Sequence, residues 1–173
     1  DEIIGTGFCE AGNIAVKLLS FENPKIGAIF WQQKISASFE LRKALGFIDN
    51  AHTNCFRLVH SEGDGLPGLI IDIYGRTAVI QTQTAGMALH IKAIAAALEA
   101  IPELKLEAIY NKSFEAMQRM GIDDCTEDGY LRGGKTDGLI LENDSKFNVD
   151  WAEGQKTGFF LDQRDNRELV RRL

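Results

Sequence analysis

A dense group of polar and aromatic residues lies near the C-terminal end of the sequence, between positions 154 and 167. Its side chains include acids, bases, amides and a hydroxyl: Gln155, Lys156, Thr157, Phe159, Phe160, Asp162, Gln163, Arg164, Asp165, Asn166 and Arg167. Arginine binds phosphate or carboxylate through paired hydrogen bonds, and phenylalanine can stack on a planar base or an adenine ring. This composition indicates a binding site.

Part of the stretch also fits a structural role. Asp165 and Glu168 have the spacing of a helix-capping pair, which predicts a helix through Leu169 and Leu173. The structural alternative is a strand-to-helix connection whose charges are solvated. Capping would explain two of the polar residues and leave the others without a role, so the sequence favours a functional site.

Two glycine-rich patterns match phosphate-binding loops in residue order but not in context. Residues 129–136 fit GxxxxGK[ST], and residues 63–68 fit GxGxxG. Such loops connect a buried strand to a helix, so that backbone N–H groups face the phosphates. Acidic residues precede the first pattern and β-type sequence follows both, so we expect a surface loop and a turn. A nucleotide hydrolase is a minor alternative that rests on residues 129–136.

The histidines and cysteines do not predict a metal or nucleophile site. His52, His60 and His90 have no ligand spacing among themselves or with the cysteines. His90 lies one position off the apolar side of its helix and is expected to face solvent or to lie at the core boundary. The three cysteines are odd in number and far apart, which argues against a disulfide framework. We expect Cys55 to be a buried, inert thiol.

The charge distribution lowers the prospect of RNA binding without removing it. The 173-residue chain has a formal net charge of −6, which disfavours binding through bulk electrostatics. The charges are uneven, with an acidic cluster and a basic C-terminal end: Asp123, Asp124, Glu127 and Asp128 against Arg164, Arg167, Arg171 and Arg172. No apolar run approaches the ~20 residues that span a bilayer, and no signal peptide is recognisable. We therefore expect a cytoplasmic protein without a membrane partner.

Periodicity and turn residues predict an α+β fold. Residues 1–31 are expected to form two or three short strands, with a turn at Gly12-Asn13 and a further apolar run at 26–31. A helix follows and ends at Gly46. The remaining predicted elements are a strand at 56–59, a hairpin of 69–74 and 77–82, a helix over 87–101, a strand at 107–111, a helix over 114–120 and a hairpin of 139–142 and 146–150.

Two longer motifs resemble one enzyme family. Residues 154–167 (GQKTGFFLDQRDNR) closely resemble the motif that opens the catalytic domain of the S-adenosylmethionine-dependent ribosomal RNA large-subunit methyltransferase I family. Residues 62–72 (EGDGLPGLIID) resemble a central-domain motif of the same family. The resemblance extends over essentially the whole chain. Such enzymes typically form 5-methylcytosine in large-subunit (23S) ribosomal RNA.

The resemblance implies a domain layout. Family members carry an N-terminal PUA domain, a central α+β domain and a C-terminal Rossmann-like methyltransferase domain. By this resemblance, residues 1–33 are the C-terminal part of a PUA-like domain, 34–143 the connecting helix and central domain, and 144–173 the start of the methyltransferase domain. The chain is then expected to be truncated before the cofactor-binding core and the catalytic cysteine, and to be inactive alone. Residues 154–167 would form one wall of a cleft, with their polar side chains exposed.

The resemblance also assigns the site. In the family, the matching string borders the cofactor and substrate cleft, which implies cofactor-binding roles for Lys156, Thr157, Phe159, Asp162, Gln163 and Arg164. It implies no catalytic residue and no metal ligand within these residues. S-adenosylmethionine is the implied cofactor of the intact enzyme, and none is expected bound to this chain alone. Ribosomal RNA is the implied partner, and a homodimer is a further partner to consider.

One alternative from another class stays open. A stand-alone RNA-binding or ribosome-assembly module is suggested by the partial PUA-like β segment and weakened by the acidic net charge. Tight RNA binding with a steep salt dependence would favour it.

Overall fold

The computed structural model describes residues 2–10, 14–119, 121 and 127–173. Three sequence-based expectations lie outside these described residues: the turn at Gly12-Asn13, the acidic pair Asp123-Asp124, and Cys125. The described part of the chain forms nine strands and five α-helices. None of these helices is both long and apolar enough to cross a membrane.

A five-stranded mixed sheet lies at the centre of the fold. In spatial order its strands are β3 (Cys55–His60), β4 (Leu69–Tyr74), β5 (Thr77–Thr82), β6 (Ala108–Asn111) and β7 (Gly129–Arg132). β5 and β6 run parallel, and the other neighbours are antiparallel. The predicted β4–β5 hairpin is confirmed, and it turns at Gly75-Arg76. A parallel pair needs a crossover connection, which α2 (Ala85–Leu89) and α3 (Ile91–Glu99) supply.

Alternate residues of the strands face two separate cores, because successive side chains point to opposite faces of a sheet. Ile71 and Ile73 belong to the larger core, which includes residues of α3 and of α1 (Ala28–Ala44). Tyr74 belongs to the second core together with Trp151. The predicted hairpin of β8 (Leu139–Glu142) and β9 (Ser145–Asn148) also lies over this second face and turns at Asn143-Asp144.

The apolar run at 26–31 is helical, so the expected third strand there is wrong. Gly27 is the extended residue before α1, which begins at Ala28. Trp31 and Ile35 are both fully buried and lie one turn apart on the core side of this helix. The predicted end near Gly46 is confirmed, since the helix finishes at Ala44 and Gly46 adopts a left-handed φ of 79°.

The single helix expected over 87–101 is divided at His90 into α2 and α3. Thr84 caps α2 by accepting a hydrogen bond of 3.1 Å from the Met87 N–H. His90 lies at the core boundary, which is one of the two places predicted for it. Its ring stacks on Phe8 at 5.8 Å, and burial lowers the pKa of its imidazole.

Phe8 joins a separate hairpin to the helices. The hairpin comprises β1 (Thr6–Cys9) and β2 (Val16–Ser20). A β-carbon placed on Gly86 of α2 would lie 2.2 Å from Cγ of Phe8, so glycine is required for this close approach.

The remaining differences concern β7 and the last helix. Residues 129–132 form edge strand β7, not the expected surface loop, because they pair with β6. Helix α4 (Phe114–Arg119) is confirmed. Helix α5 (Arg164–Arg171) is also present, but its expected capping pair is not: a 3₁₀ turn over Leu161–Gln163 leads directly into it. The Glu168 carboxylate instead binds the guanidinium groups of Arg171 and Arg172.

Candidate functional site

The segment that follows β9 is fixed to the second face of the sheet by a buried lysine. The Lys112 ammonium, directly after β6, donates hydrogen bonds to the carbonyls of Trp151, Ala152 and Gly154. Burial lowers the pKa of this ammonium group. Lys112 therefore holds the turn that leads into the polar stretch.

A second attachment holds the middle of the stretch. Thr157 is 1% exposed, and its hydroxyl donates a 2.6 Å hydrogen bond to the Asp72 carboxylate on β4. Because that hydroxyl hydrogen is used, its oxygen accepts the 2.8 Å bond from the Tyr74 hydroxyl. Arg57 closes the network with two bonds to Asp72, of 2.8 and 2.9 Å. The hydrogen bond to Asp72 raises the pKa of Arg57, and burial raises the pKa of Tyr74.

A third attachment holds the end of the stretch and the start of α5. Glu142 of β8 is 2% exposed and accepts bonds of 2.7 and 2.9 Å from Arg167 and of 3.3 Å from Arg164. Arg164 also donates to the carbonyl of Cys55. Cys55 is buried as predicted, and burial raises the pKa of its thiol to about 11.

These attachments divide the six residues predicted to bind cofactor into two groups. Thr157 and Arg164 are engaged in buried contacts with the sheet and with β8, so the expectation that the polar side chains of the stretch are exposed is wrong for them. Phe159 is half-buried beneath the Arg167 guanidinium, whose central carbon lies 4.2 Å from the ring centre. These three residues shape the segment.

The other three, Lys156, Asp162 and Gln163, are exposed. The Lys156 ammonium lies 3.6 Å from the Asp162 carboxylate and 4.5 Å from the centre of the Phe160 ring. Gln163 accepts a 2.7 Å bond from the Asn166 side chain. Lys156 has a left-handed φ of 53°, a conformation unusual for a residue with a β-carbon. The exposed members of the stretch are therefore adjacent and can contact a ligand.

A cleft of about 480 Å³ opens beside this exposed group. Its lining includes Asp162 and Arg164 of the stretch together with Arg57 and His60 of β3. The Arg42–Asp64 pair, with bonds of 2.6 and 2.7 Å, adds a further charged wall. A volume of this size is typical of small-molecule sites.

Sequence reasoning missed the partners that position the stretch. Asp72 is the clearest example: a carboxylate inside an apolar strand, fully buried, is rarely found without a paired cation. The position of Asp72 within an apolar run of the 62–72 motif therefore predicts a buried cationic partner for its carboxylate. Of the two glycine-rich patterns, residues 63–68 lead into β4, and residues 129–132 form the edge strand β7.

The described residues contain no group of three or more histidine, cysteine, aspartate or glutamate side chains that could hold a metal ion. The side chains of the stretch themselves offer hydrogen bonding, charge pairing and aromatic stacking.

Comparison with known proteins gives a consistent set of relatives. No protein-family model matches the chain. The chain is 35% identical over 175 residues to ribosomal RNA large subunit methyltransferase I of Pseudoalteromonas atlantica, covering 98% of this chain and 42% of that protein. The enzyme of the same name from Escherichia coli is 32% identical over 169 residues, covering 95% of this chain and 41% of its own.

Solved structures agree in fold. A proposed SAM-dependent methyltransferase from Streptococcus mutans superposes with a TM-score of 0.79 at 25% identity, covering 96% of this chain and 42% of that one. A second structure, of a proposed methyltransferase complexed with SAH, has the same TM-score at 24% identity and covers 41% of its chain. The chain is thus similar over nearly its whole length to proteins named ribosomal RNA methyltransferases, and it spans about two fifths of their length.

Proposed function

We propose that this chain is part of a SAM-dependent methyltransferase that modifies cytosine at carbon 5 in large-subunit ribosomal RNA, in the cytoplasm. The observation that carries the proposal is the 35% identity over 98% of the chain to a ribosomal RNA large subunit methyltransferase I. The exposed polar group beside a cleft is consistent with a role in ligand binding.

The proposed domain layout follows the resemblance. Residues 1–33, which include the β1–β2 hairpin, would be part of a PUA-like domain. Residues 34–143 would form the central domain that contains the five-stranded sheet. Residues 144–173 would begin the methyltransferase domain. The cofactor core and the catalytic cysteine would then lie outside this chain, which would be inactive alone.

The residues of the stretch divide into binding and positioning roles in this proposal. S-adenosylmethionine supplies a methyl group on a sulfonium centre when it is bound. Lys156, Asp162 and Gln163 would contact it or the RNA, because their side chains are exposed and Asp162 lines the cleft. Thr157, Phe159 and Arg164 would keep these three in place through their contacts with the sheet and α5.

A chimera tests this function. The matched segment of the Pseudoalteromonas atlantica relative is replaced by this chain, and the chimera is incubated with tritiated S-adenosylmethionine and unmodified 23S ribosomal RNA. We expect tritium transfer, with bisulfite sequencing locating 5-methylcytosine. Lys156→Ala should lower the transfer, and Lys146→Ala, at an exposed position of β9, is the matched control that should not.

A folded chimera that binds S-adenosylmethionine but leaves the RNA unmodified would contradict the proposal. Methylation at another base would contradict the cytosine specificity alone. Salt-sensitive RNA binding by the chain together with an inactive chimera would favour the alternative of an RNA-binding module.

A further inference from the structure

Two cavities border the polar stretch and meet at Arg57. The first is the cleft already described, here called the apolar pocket because Leu41, Leu45, Phe47, Phe56 and Leu161 line much of it. The second, the polar pocket, has a volume of about 440 Å³ and includes Gln81, Gln83, Arg119 and Lys156. Arg57 lines both pockets.

The apolar pocket has flat walls. Phe47 and Phe56 are stacked, with ring centres 5.7 Å apart and planes at 24°. The Arg164 guanidinium lies 5.1 Å from the centre of the Phe47 ring. Aromatic and guanidinium planes are the surfaces on which unpaired nucleobases stack. Asp162 at the rim can accept hydrogen bonds from the edge of a base.

The polar pocket has a different chemistry. Gln81 lies on β5 and Gln83 directly after it, and Arg119 and Lys156 provide cations beside their amides. Carboxamides can pair with base edges, and lysine and arginine contact phosphates. The side chain of Arg119 is 71% exposed and is paired with Glu115, which also lines this pocket. Exposed pairs of this kind are weak, so a phosphate can replace the Glu115 carboxylate.

Charged groups lie at the boundary between the two pockets. Lys156 of the polar pocket lies 3.6 Å from Asp162 of the apolar pocket. Nε and Nη2 of Arg57 bind Asp72, whereas its Nη1 has only a 3.4 Å contact with Nδ1 of His60 among the described residues. Arg57 is therefore held rigidly and still has donor capacity at the junction.

We propose that the two pockets form one groove that binds a short single-stranded RNA segment. One unpaired base enters the apolar pocket, and the backbone crosses Arg57 so that phosphates contact Lys156 and Arg119. A single strand fits because bases in a duplex are stacked and cannot enter a pocket. The inference rests on the proposed function for the identity of the polymer, and it gives the RNA partner a location on the central sheet.

Fluorescence anisotropy of a labelled short single-stranded RNA, titrated with the full 173-residue chain, tests the groove. Leu45→Glu places a carboxylate in the apolar pocket at an exposed position and should weaken binding about tenfold, as expected for the loss of one stacked base. Leu89→Glu adds the same charge at a residue 85% exposed outside both pockets and should leave affinity unchanged.

A second pair of variants tests the phosphate contact without touching the core. Arg119→Ala should reduce the slope of log affinity against log salt by about 0.7, the value for one phosphate on a single strand. Arg132→Ala is the control, since Arg132 forms a solvent-exposed pair with Glu99 outside the groove, and it should leave the slope unchanged. Circular dichroism confirms that each variant is folded.

Any one of three results would contradict the groove. Leu45→Glu and Leu89→Glu could weaken RNA binding equally, or the chain could bind duplex and single-stranded RNA with equal affinity. S-adenosylmethionine could also displace the RNA from the chain. These results are separable from those of the chimera. A chimera that methylates RNA, together with any of them, removes the groove and leaves the proposed function. An inactive chimera, together with the expected variant effects, removes the proposed function and leaves the groove.

Discussion

The hydroxyl of Thr157 donates a 2.6 Å hydrogen bond to the buried carboxylate of Asp72, from 85 positions further along the chain. This contact places the centre of the polar stretch against the middle of β4. Asp72 accepts from Arg57 on its other side, so one carboxylate links β3, β4 and the stretch. The exposed residues of the stretch are consequently positioned by the sheet.

Thr157→Val tests this link, because valine keeps the volume and removes the hydroxyl. Asp72 and Tyr74 would each lose a buried partner, and we expect the free energy of unfolding to fall by about 1–3 kcal/mol. Urea denaturation measures the change. Thr157→Ser retains the hydroxyl, so its free energy of unfolding should fall by less than that of the valine variant. A valine variant as stable as the unmodified chain would show that the bond contributes nothing net.

Glu142→Gln should lower the free energy of unfolding by more than the removal of an exposed surface ion pair does. Removing the charge leaves Arg164 and Arg167 without their carboxylate, and because both arginines are partly exposed we expect a loss of about 2–3 kcal/mol. Glu107→Gln removes a carboxylate from an exposed pair with Arg76 and should cost less than about 1 kcal/mol. Equal losses in the two unfolding curves would contradict a special role for Glu142.

Stability should fall as pH rises from 9 to about 11, because of Cys55. The native thiol keeps its proton in this window, whereas the unfolded thiol, with a pKa near 9.0, releases it. The native state then binds more protons, so the free energy of unfolding decreases with pH. The raised pKa of Tyr74 acts in the same direction at alkaline pH.

Cys55→Ala isolates the thiol contribution. Urea denaturation at both ends of the window should show a smaller pH-dependent loss for this variant than for the unmodified chain. If the free energy of unfolding fell equally with pH in the variant and in the unmodified chain, the Cys55 thiol would have the same pKa in the native and unfolded states.

In the native chain, iodoacetamide should label the exposed Cys9 well before Cys55, as measured by mass spectrometry.

Gly86→Ala should release the β1–β2 hairpin from the helices. The new methyl group would overlap the Phe8 ring, with 2.2 Å to Cγ, and Phe8 would have to leave its position. We expect amide hydrogen exchange to accelerate in β1 and β2 and to stay slow in β4 and β5. Gly134→Ala meets no atom within 4 Å and is the matched control. Unchanged protection of the hairpin would show that Phe8 does not hold it.

The sequence predicted elements whose signals are local. Two apolar runs separated by Gly75-Arg76 are sufficient to identify the β4–β5 hairpin, and Gly46 marks the end of α1 through its left-handed conformation. The run at 26–31 was assigned wrongly because a few adjacent apolar residues suit a strand or a helix equally well. Only the continuing spacing from Trp31 to Ile35 distinguishes them.

Elements whose partners are distant in sequence were not predictable. β7 has four residues, largely exposed, and forms because β6 offers an edge. Likewise, Glu142 carries no sign in its own neighbourhood that Arg164 and Arg167, 22 and 25 positions later, reach its carboxylate. The candidate stretch was located by composition, whereas its division into buried and exposed residues depends on this packing.

The hydrogen bonds of Lys112 leave the side chains of the turn free to vary. Lys112 binds the turn through backbone carbonyls, which every amino acid provides, so the contact places no demand on the side chains of the residues it holds. Ala152 and Glu153 both face outward in that turn. Substitutions at these two positions can therefore accumulate and alter what the surface recognises, while the frame beneath them keeps its shape.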